Sequence, residues 1–217
     1  MQRISFQLLV TYPEMLIAIL TFNGFNELDS LVSLGILGRV RKDGWRVSIA
    51  SPRPRVTSMN GVVLDDAISL EQARAADAII VGSGVSTREL VADAALMAAM
   101  PMDTTRQLVG AQCSGALILA KLGLLQNIPA CTDLVTKPWV QDAGVEVLNQ
   151  PFFAHGNIAT AGGCLASQYL AGWIIARLAG VEAAERALHY VAPVGEKDEY
   201  VSRAMRHILQ YIKDAPS

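Results

Sequence analysis

The chain has 217 residues, with 18 basic against 20 acidic side chains and a net charge of -2. That balance excludes the basic footprint of a nucleic-acid binder, and the length suits one α/β domain with its own core. Three cysteines, Cys113, Cys131 and Cys164, match neither a disulfide framework nor a zinc knuckle and read as reduced thiols of a cytoplasmic protein.

Residues 1–14 are expected to be an extension ahead of the domain, residues 15–217, with Met15 an alternative start. Their apolar runs, broken by Thr11-Tyr12-Pro13-Glu14, fall short of the ~20 residues of a membrane span and lack the pattern of a secretory signal. No membrane partner is expected.

Residues 16–22 have no polar face and read as a central parallel strand. Over residues 26–40, Leu28, Leu31, Val32, Ile36 and Leu37 recur at helical spacing, and residues 45–50 follow as a strand. Asn60-Gly61 marks a hairpin between residues 56–59 and 62–64, an insertion on an α/β plan. Residues 78–81 are a third strand, 87–100 a helix, 107–112 a fourth strand, and 114–122 a helix ended by Gly123. A short helix is expected over residues 135–141. Residues 158–163 read as a strand entering a glycine turn, and 164–178 as an apolar helix with Leu165, Tyr169, Leu170, Trp173, Ile174 and Leu178 in the core. Residues 181–190 and 199–213 complete the helices. This alternation predicts an α/β fold, a mostly parallel sheet with helices on both faces.

Cys113 ends the fourth strand with one residue of transition before the helix, and Gly115 is expected to permit the tight turn. Such an elbow presents its side chain at the carboxyl end of the sheet. Helix N–H groups there favour a thiolate and can stabilise an oxyanion. The arrangement parallels the serine elbow of hydrolases, although Ala111 replaces the first glycine of that motif. A reactive thiol and an inert buried cysteine both fit this local pattern.

Cys113-Ser114-Gly115-Ala116-Leu117, preceded by Ile79-Ile80-Val81-Gly82-Ser83-Gly84 and followed by Gly156-Asn157-Ile158-Ala159-Thr160-Ala161-Gly162-Gly163, resembles the DJ-1/PfpI family of the class I glutamine amidotransferase-like superfamily. The resemblance runs in order over residues 16–194. Within the family the elbow and the Thr-Ala-Gly-Gly turn look closest to the isonitrile hydratase branch, which usually has threonine where Ser114 stands. The resemblance implies a flavodoxin-like sandwich with a nucleophile-elbow cysteine, a homodimer and a small-molecule substrate. It puts the family's acidic partner at Asp29, with Glu27 the fallback, and its oxyanion glycine at Gly84, whose N–H would act with that of Ser114.

Opposite a thiolate Asp29 has to be protonated; otherwise it is a first-turn acid stabilising its helix dipole. Gly82-Ser83-Gly84 stands where the family often has Pro-Gly-Gly. Asp133 stands where many members have histidine, so a cysteine–histidine dyad of an amidase or protease is not expected. Asp133 either orients a substrate or caps the helix that follows. His155 and Cys164 are further pocket candidates; a solvated turn and core packing are their plain alternatives. No metal is expected, because no cluster has ligand spacing. No cofactor is expected either, as neither glycine run matches a P-loop or dinucleotide fingerprint.

Three functions fit. The first is a Cys113-dependent enzyme, with an isonitrile hydratase-like hydro-lyase favoured over a glyoxalase, amidase or protease. The second is a redox-sensing or protective protein with an oxidisable Cys113. The third is a noncatalytic sensory module, against which stands the lack of a DNA-binding helix pair or basic patch.

Overall fold

Apolar runs with no polar face need cover on both sides, and the chain supplies it with helices. The computed structural model describes residues 14–212, so residues 1–13 of the expected extension lie outside the described residues. The strands are β1 (Met15–Leu20), β2 (Trp45–Ala50), β3 (Val56–Thr57), β4 (Val63–Leu64), β5 (Ala78–Val81), β6 (Leu108–Gln112), β7 (Phe152–His155) and β8 (Ile158–Ala161). The helices are α1 (Glu27–Leu37), α2 (Leu70–Ala73), α3 (Thr87–Ala92), α4 (Ala94–Ala98), α5 (Gly115–Lys121), α6 (Lys137–Asp142), α7 (Ser167–Ala179), α8 (Val181–Val191) and α9 (Lys197–Leu209).

Six strands form one sheet in the order β2-β1-β5-β6-β8-β7. All neighbours are parallel except the edge strand β7, which runs antiparallel to β8. Alternation along β1 divides the core. Ile17 and Ile19 face α1, α7, α8 and α9, whereas Leu16, Ala18 and Leu20 face the side covered by α5. Tyr169, Leu170, Trp173 and Ile174 are buried as expected, and each large apolar side chain so buried contributes about 1.5–3 kcal/mol. The mostly parallel α/β sandwich is therefore as the alternation of elements predicts.

Two elements differ from the reading of the sequence. The helix expected over 87–100 breaks at Asp93, whose extended backbone interrupts α3 and whose carboxylate accepts from the Leu96 N–H to begin α4. Aspartate competes for backbone donors and so favours a cap over a helix interior. Leu165 is 65% exposed rather than in the core. It sits in a 3-10 turn, Cys164–Ala166, that precedes α7, and the tighter winding of that turn takes it off the apolar stripe.

The β3–β4 hairpin docks on the loop after β1: Met59 N–H donates to Phe25 C=O at 2.8 Å and Gly24 N–H to Thr57 C=O at 2.8 Å. The loop after β5 is stitched to the same segment by Asn26 N–H to Ser83 C=O, 2.8 Å, and Val85 N–H to Gly24 C=O, 3.0 Å. These bonds gather the carboxyl ends of β1 and β5, where successive connections diverge in direction. That switch point is where open α/β sheets leave a crevice.

Candidate active site

Cys113 follows β6 with φ +47°, a left-handed conformation that residues other than glycine, asparagine and aspartate rarely adopt. The surroundings hold it there. Its N–H donates to Ala161 C=O at 2.8 Å, and its C=O accepts from Thr132 Oγ1 at 2.8 Å and from Ala116 N–H at 3.1 Å. Gly115 is needed for a different reason from the one expected. The turn's positive φ belongs to Cys113, and Gly115 provides space: a Cβ there would lie 2.4 Å from Val81 C=O. The first turn of α5 thus presses on the end of β5.

Asp29, in the first turn of α1, is 1% exposed and its Oδ1 lies 4.0 Å from Cys113 Sγ. Ser83 Oγ donates to its Oδ2. Burial pushes the Asp29 carboxyl above the usual carboxylate range, against the opposing pull of hydrogen bonds from Ser83, Cys164 and Cys113. Burial likewise pushes the Cys113 thiol up, and negative charge on Asp29, Cys164 and Asp133 pushes it further. Two such groups cannot both be anionic at neutral pH, so they hold a proton between them.

A cavity of about 380 Å³ opens on Cys113, with Asp29 behind its wall; it is lined by Asn26, Met59, Ser83, Gly84, Val85, Cys113, Ser114, Asp133, Val135, Thr136, Trp139 and Cys164. Its lining holds no lysine, arginine or histidine. Gly84 packs against the β1 loop, where a Cβ would lie 2.7 Å from Gly24 C=O. Its N–H donates to Ser114 Oγ at 3.2 Å, and that hydroxyl also meets Thr87 Oγ1 at 2.7 Å. The Ser114 hydroxyl therefore occupies the amide expected to receive an oxyanion. Asp133 Oδ1 accepts from Val135 N–H and Thr136 N–H, each at 2.9 Å, so it closes the turn leading into α6 instead of capping α6 itself, whose N-cap is Thr136, and the residue still lines the cavity.

Two pocket candidates lie elsewhere. Glu27 accepts from Asn60 Nδ2 at 2.6 Å, tying α1 to the hairpin, and is not among the lining residues. His155 pairs with Ile158 at the start of β8, whereas Cys113 meets Ala161 at its end, so the exposed imidazole sits at the opposite edge of the sheet. Three strand residues separate the two edges, about 10 Å. Residues that sequence reasoning misses are Ser83, the partner of Asp29, and Asn26, which caps α1 through its Oδ1 and donates from Nδ2 to Cys164 Sγ at 3.2 Å. Both stand directly beside strand exits at the switch point, the signal that marks them.

Cys164 is only partly buried and belongs to the cavity, not the core. Among the described residues, Asp29, Cys113 and Cys164 form one group whose ligand-type atoms all lie within 4.8 Å of one another. Linear spacing shows no such group, because its members come from three separate strand exits. A soft dication would fit two thiolates and a carboxylate, on loss of the thiol protons. Cys131 is fully buried beneath the site, its N–H bonded to Thr160 Oγ1 at 2.8 Å and its thiol pushed up to about 12 by burial.

A family model described as DJ-1/PfpI family matches residues 15–177. Among solved structures, a ThiJ/PfpI family protein from Pseudomonas syringae is similar at 19% identity and a TM-score of 0.73, over 92% of this chain and 90% of that one. Oxidized DJ-1 from Toxoplasma gondii is similar at 19% identity and a TM-score of 0.69, over 82% and 97%. An AraC family transcriptional regulator from Pseudomonas putida is similar at 18% identity and a TM-score of 0.66, over 83% and 100%. No curated protein matches the chain. At these identities the structural likeness speaks for the fold alone.

Proposed function

The chain belongs to the DJ-1/PfpI family, and from that premise we propose that it is a cysteine-dependent enzyme acting on a small, neutral electrophile, with isonitrile hydration as its reaction. The observation that carries this reading is the buried Cys113–Asp29 pair, 4.0 Å apart, whose Cys113 lines a cavity large enough for a small organic molecule. Cys113 sulfur adds to the terminal isonitrile carbon while Asp29 delivers the proton that the carbon gains. Water then adds to the resulting thioimidate, and expulsion of Cys113 sulfur leaves an N-substituted formamide. Gly84 N–H serves the developing negative charge once the Ser114 hydroxyl turns away to Thr87. The cavity's lack of a cationic lining residue favours neutral over anionic substrates.

The test is to incubate the purified protein with a small alkyl isonitrile, and in parallel with a 2-oxoaldehyde. Formamide is the expected product, with the oxoaldehyde and simple amides left intact. Consumption of neither electrophile sinks the reading, and conversion of the oxoaldehyde alone transfers the site to glyoxalase chemistry. The redox-protective reading draws its own support from Cys164 beside Cys113.

No described helix is long and apolar enough to cross a membrane. Met59, Val85 and Val135 line the cavity yet are 48%, 64% and 72% exposed, which supports a homodimer that covers this rim. Sedimentation velocity reads that state directly.

Asp29 also makes a statement about stability. Its folded pKa is raised, so between the ordinary carboxylate range and the folded value the native state binds the extra proton. Stability therefore falls as pH rises through that window, by about 1.4 kcal/mol for every tenfold by which folding tightens the carboxyl's hold on its proton. Asp29→Asn, which keeps an acceptor for Ser83 and cannot ionise, should remove the fall. Its urea midpoint should match wild type near pH 4 and exceed it at pH 7; equal midpoints at both would refute the protonated carboxyl.

A further inference from the structure

Cys164 is a second thiol on the cavity wall, which the proposed chemistry leaves idle. Its sulfur and that of Cys113 are within 4.8 Å of each other, with an Asp29 oxygen inside the same limit of both. Both thiols face the same cavity, so a small oxidant that reaches one reaches the other. Cys164 is carried by a three-residue 3-10 turn instead of the body of α7. A disulfide needs sulfurs about 2.05 Å apart, so the gap left to close from within 4.8 Å is under about 3 Å. Cys131, by contrast, is sealed in the core and is not among the cavity-lining residues.

We propose that Cys113 and Cys164 form a reversible intramolecular disulfide, with Cys164 as the resolving thiol for an oxidised Cys113. The oxidant is a hydroperoxide. Cys113 sulfur attacks the terminal peroxide oxygen; the S–O bond forms as the O–O bond breaks, and the departing alkoxide takes the thiol proton to leave as an alcohol or, from hydrogen peroxide, as water. Cys164 sulfur then attacks the sulfenic sulfur of Cys113. The S–S bond forms, the S–O bond breaks, and the departing hydroxide takes the Asp29 proton to become water, which Asp29 recovers from Cys164. Two thiols are oxidised and one peroxide is reduced, and a dithiol reductant reverses the change. The disulfide withdraws the nucleophile from substrate and shields it from sulfinic acid. This goes beyond isonitrile hydration and requires only that Cys113 be oxidisable.

The experiment treats the full chain with a small excess of hydrogen peroxide, blocks remaining thiols, and reads intact mass and non-reduced peptides. Wild type should lose two hydrogens and yield a Cys113–Cys164 cross-linked peptide that a dithiol reductant cleaves, with Cys131 still free. In Cys164→Ser the same treatment should carry Cys113 to sulfinic acid at least about 10-fold faster than in wild type. Equal rates of two-oxygen gain in the two proteins overturn the proposal, as does a cross-link through Cys131. A Cys113 left unmodified at peroxide levels that oxidise free cysteine overturns it as well. Isonitrile turnover by the reduced protein is scored separately, so failure of the disulfide leaves hydration standing and failure of hydration leaves the disulfide standing.

Discussion

Cys113→Ala should lower turnover by at least about 10⁴-fold while leaving a folded protein, because the nucleophile is lost and the elbow's bonds are made by backbone groups. Cys113→Gly should be as inactive but more stable than Cys113→Ala by about 1 kcal/mol, since glycine occupies φ +47° without the penalty of a Cβ. Adding Asp29→Asn to either variant should lower turnover no further, because Asp29 protonates the carbon that Cys113 attacks and has no step to assist once the nucleophile is gone. Kinetics on the alanine variant settle the assignment: residual turnover near wild type would remove Cys113 from the chemistry. A glycine variant no more stable than the alanine one would show that the elbow carries no strain.

Gly115→Ala is expected to be strongly damaging although it adds a single methyl group. Helix propensity alone would favour alanine by about 1 kcal/mol, but the new Cβ would meet Val81 C=O at 2.4 Å and Gly82 C=O at 3.1 Å. Both are backbone atoms, one in β5 and one just beyond it, and neither can yield as a flexible side chain can. Relief requires α5 to back away from the sheet, which costs about 3 kcal/mol, a sizeable part of the 5–15 kcal/mol typical of whole domains. Gly35→Ala supplies the contrast. Gly35 lies within α1, where a Cβ would meet nothing within 4 Å, so there the propensity term should win and the protein gain about 1 kcal/mol. Urea unfolding of the two variants should move in opposite directions; a neutral Gly115→Ala would mean that the strand–helix contact is looser than described.

The strands are the most legible part of the sequence because a parallel strand buried on both faces has to be apolar throughout. Residues 78–81 therefore match β5 to the residue. Helix interruptions are harder: apolar spacing runs on across Asp93, and only the local competition of its carboxylate ends α3. Within the site, the meeting of Cys113 with Asp29 comes from resemblance, since composition and spacing alone cannot pair residues from β6 and α1. His155 and Glu27 are drawn to the cavity by their chemistry, and the register of β7 on β8 and the Asn60 bond hold them elsewhere. Cys164 goes the other way. Its helical neighbours are so apolar that core packing is the natural reading, and only the 3-10 turn brings its sulfur onto the cavity wall.

The sheet order also bears on when a chain leaving the ribosome acquires its thiol chemistry. β6 pairs on one side with β5 and on the other with β8, whose residues follow their β6 partners by 49 positions, Val109 facing Ile158 and Gln112 facing Ala161. Until β8 arrives, the Cys113 N–H lacks the Ala161 carbonyl that holds the elbow, and Cys164 is not yet made. Translation therefore delivers the nucleophile early but withholds its left-handed backbone and its second sulfur until the sheet is nearly complete. On the proposed function, a nascent chain would be spared a working electrophile trap while it is still unfolded.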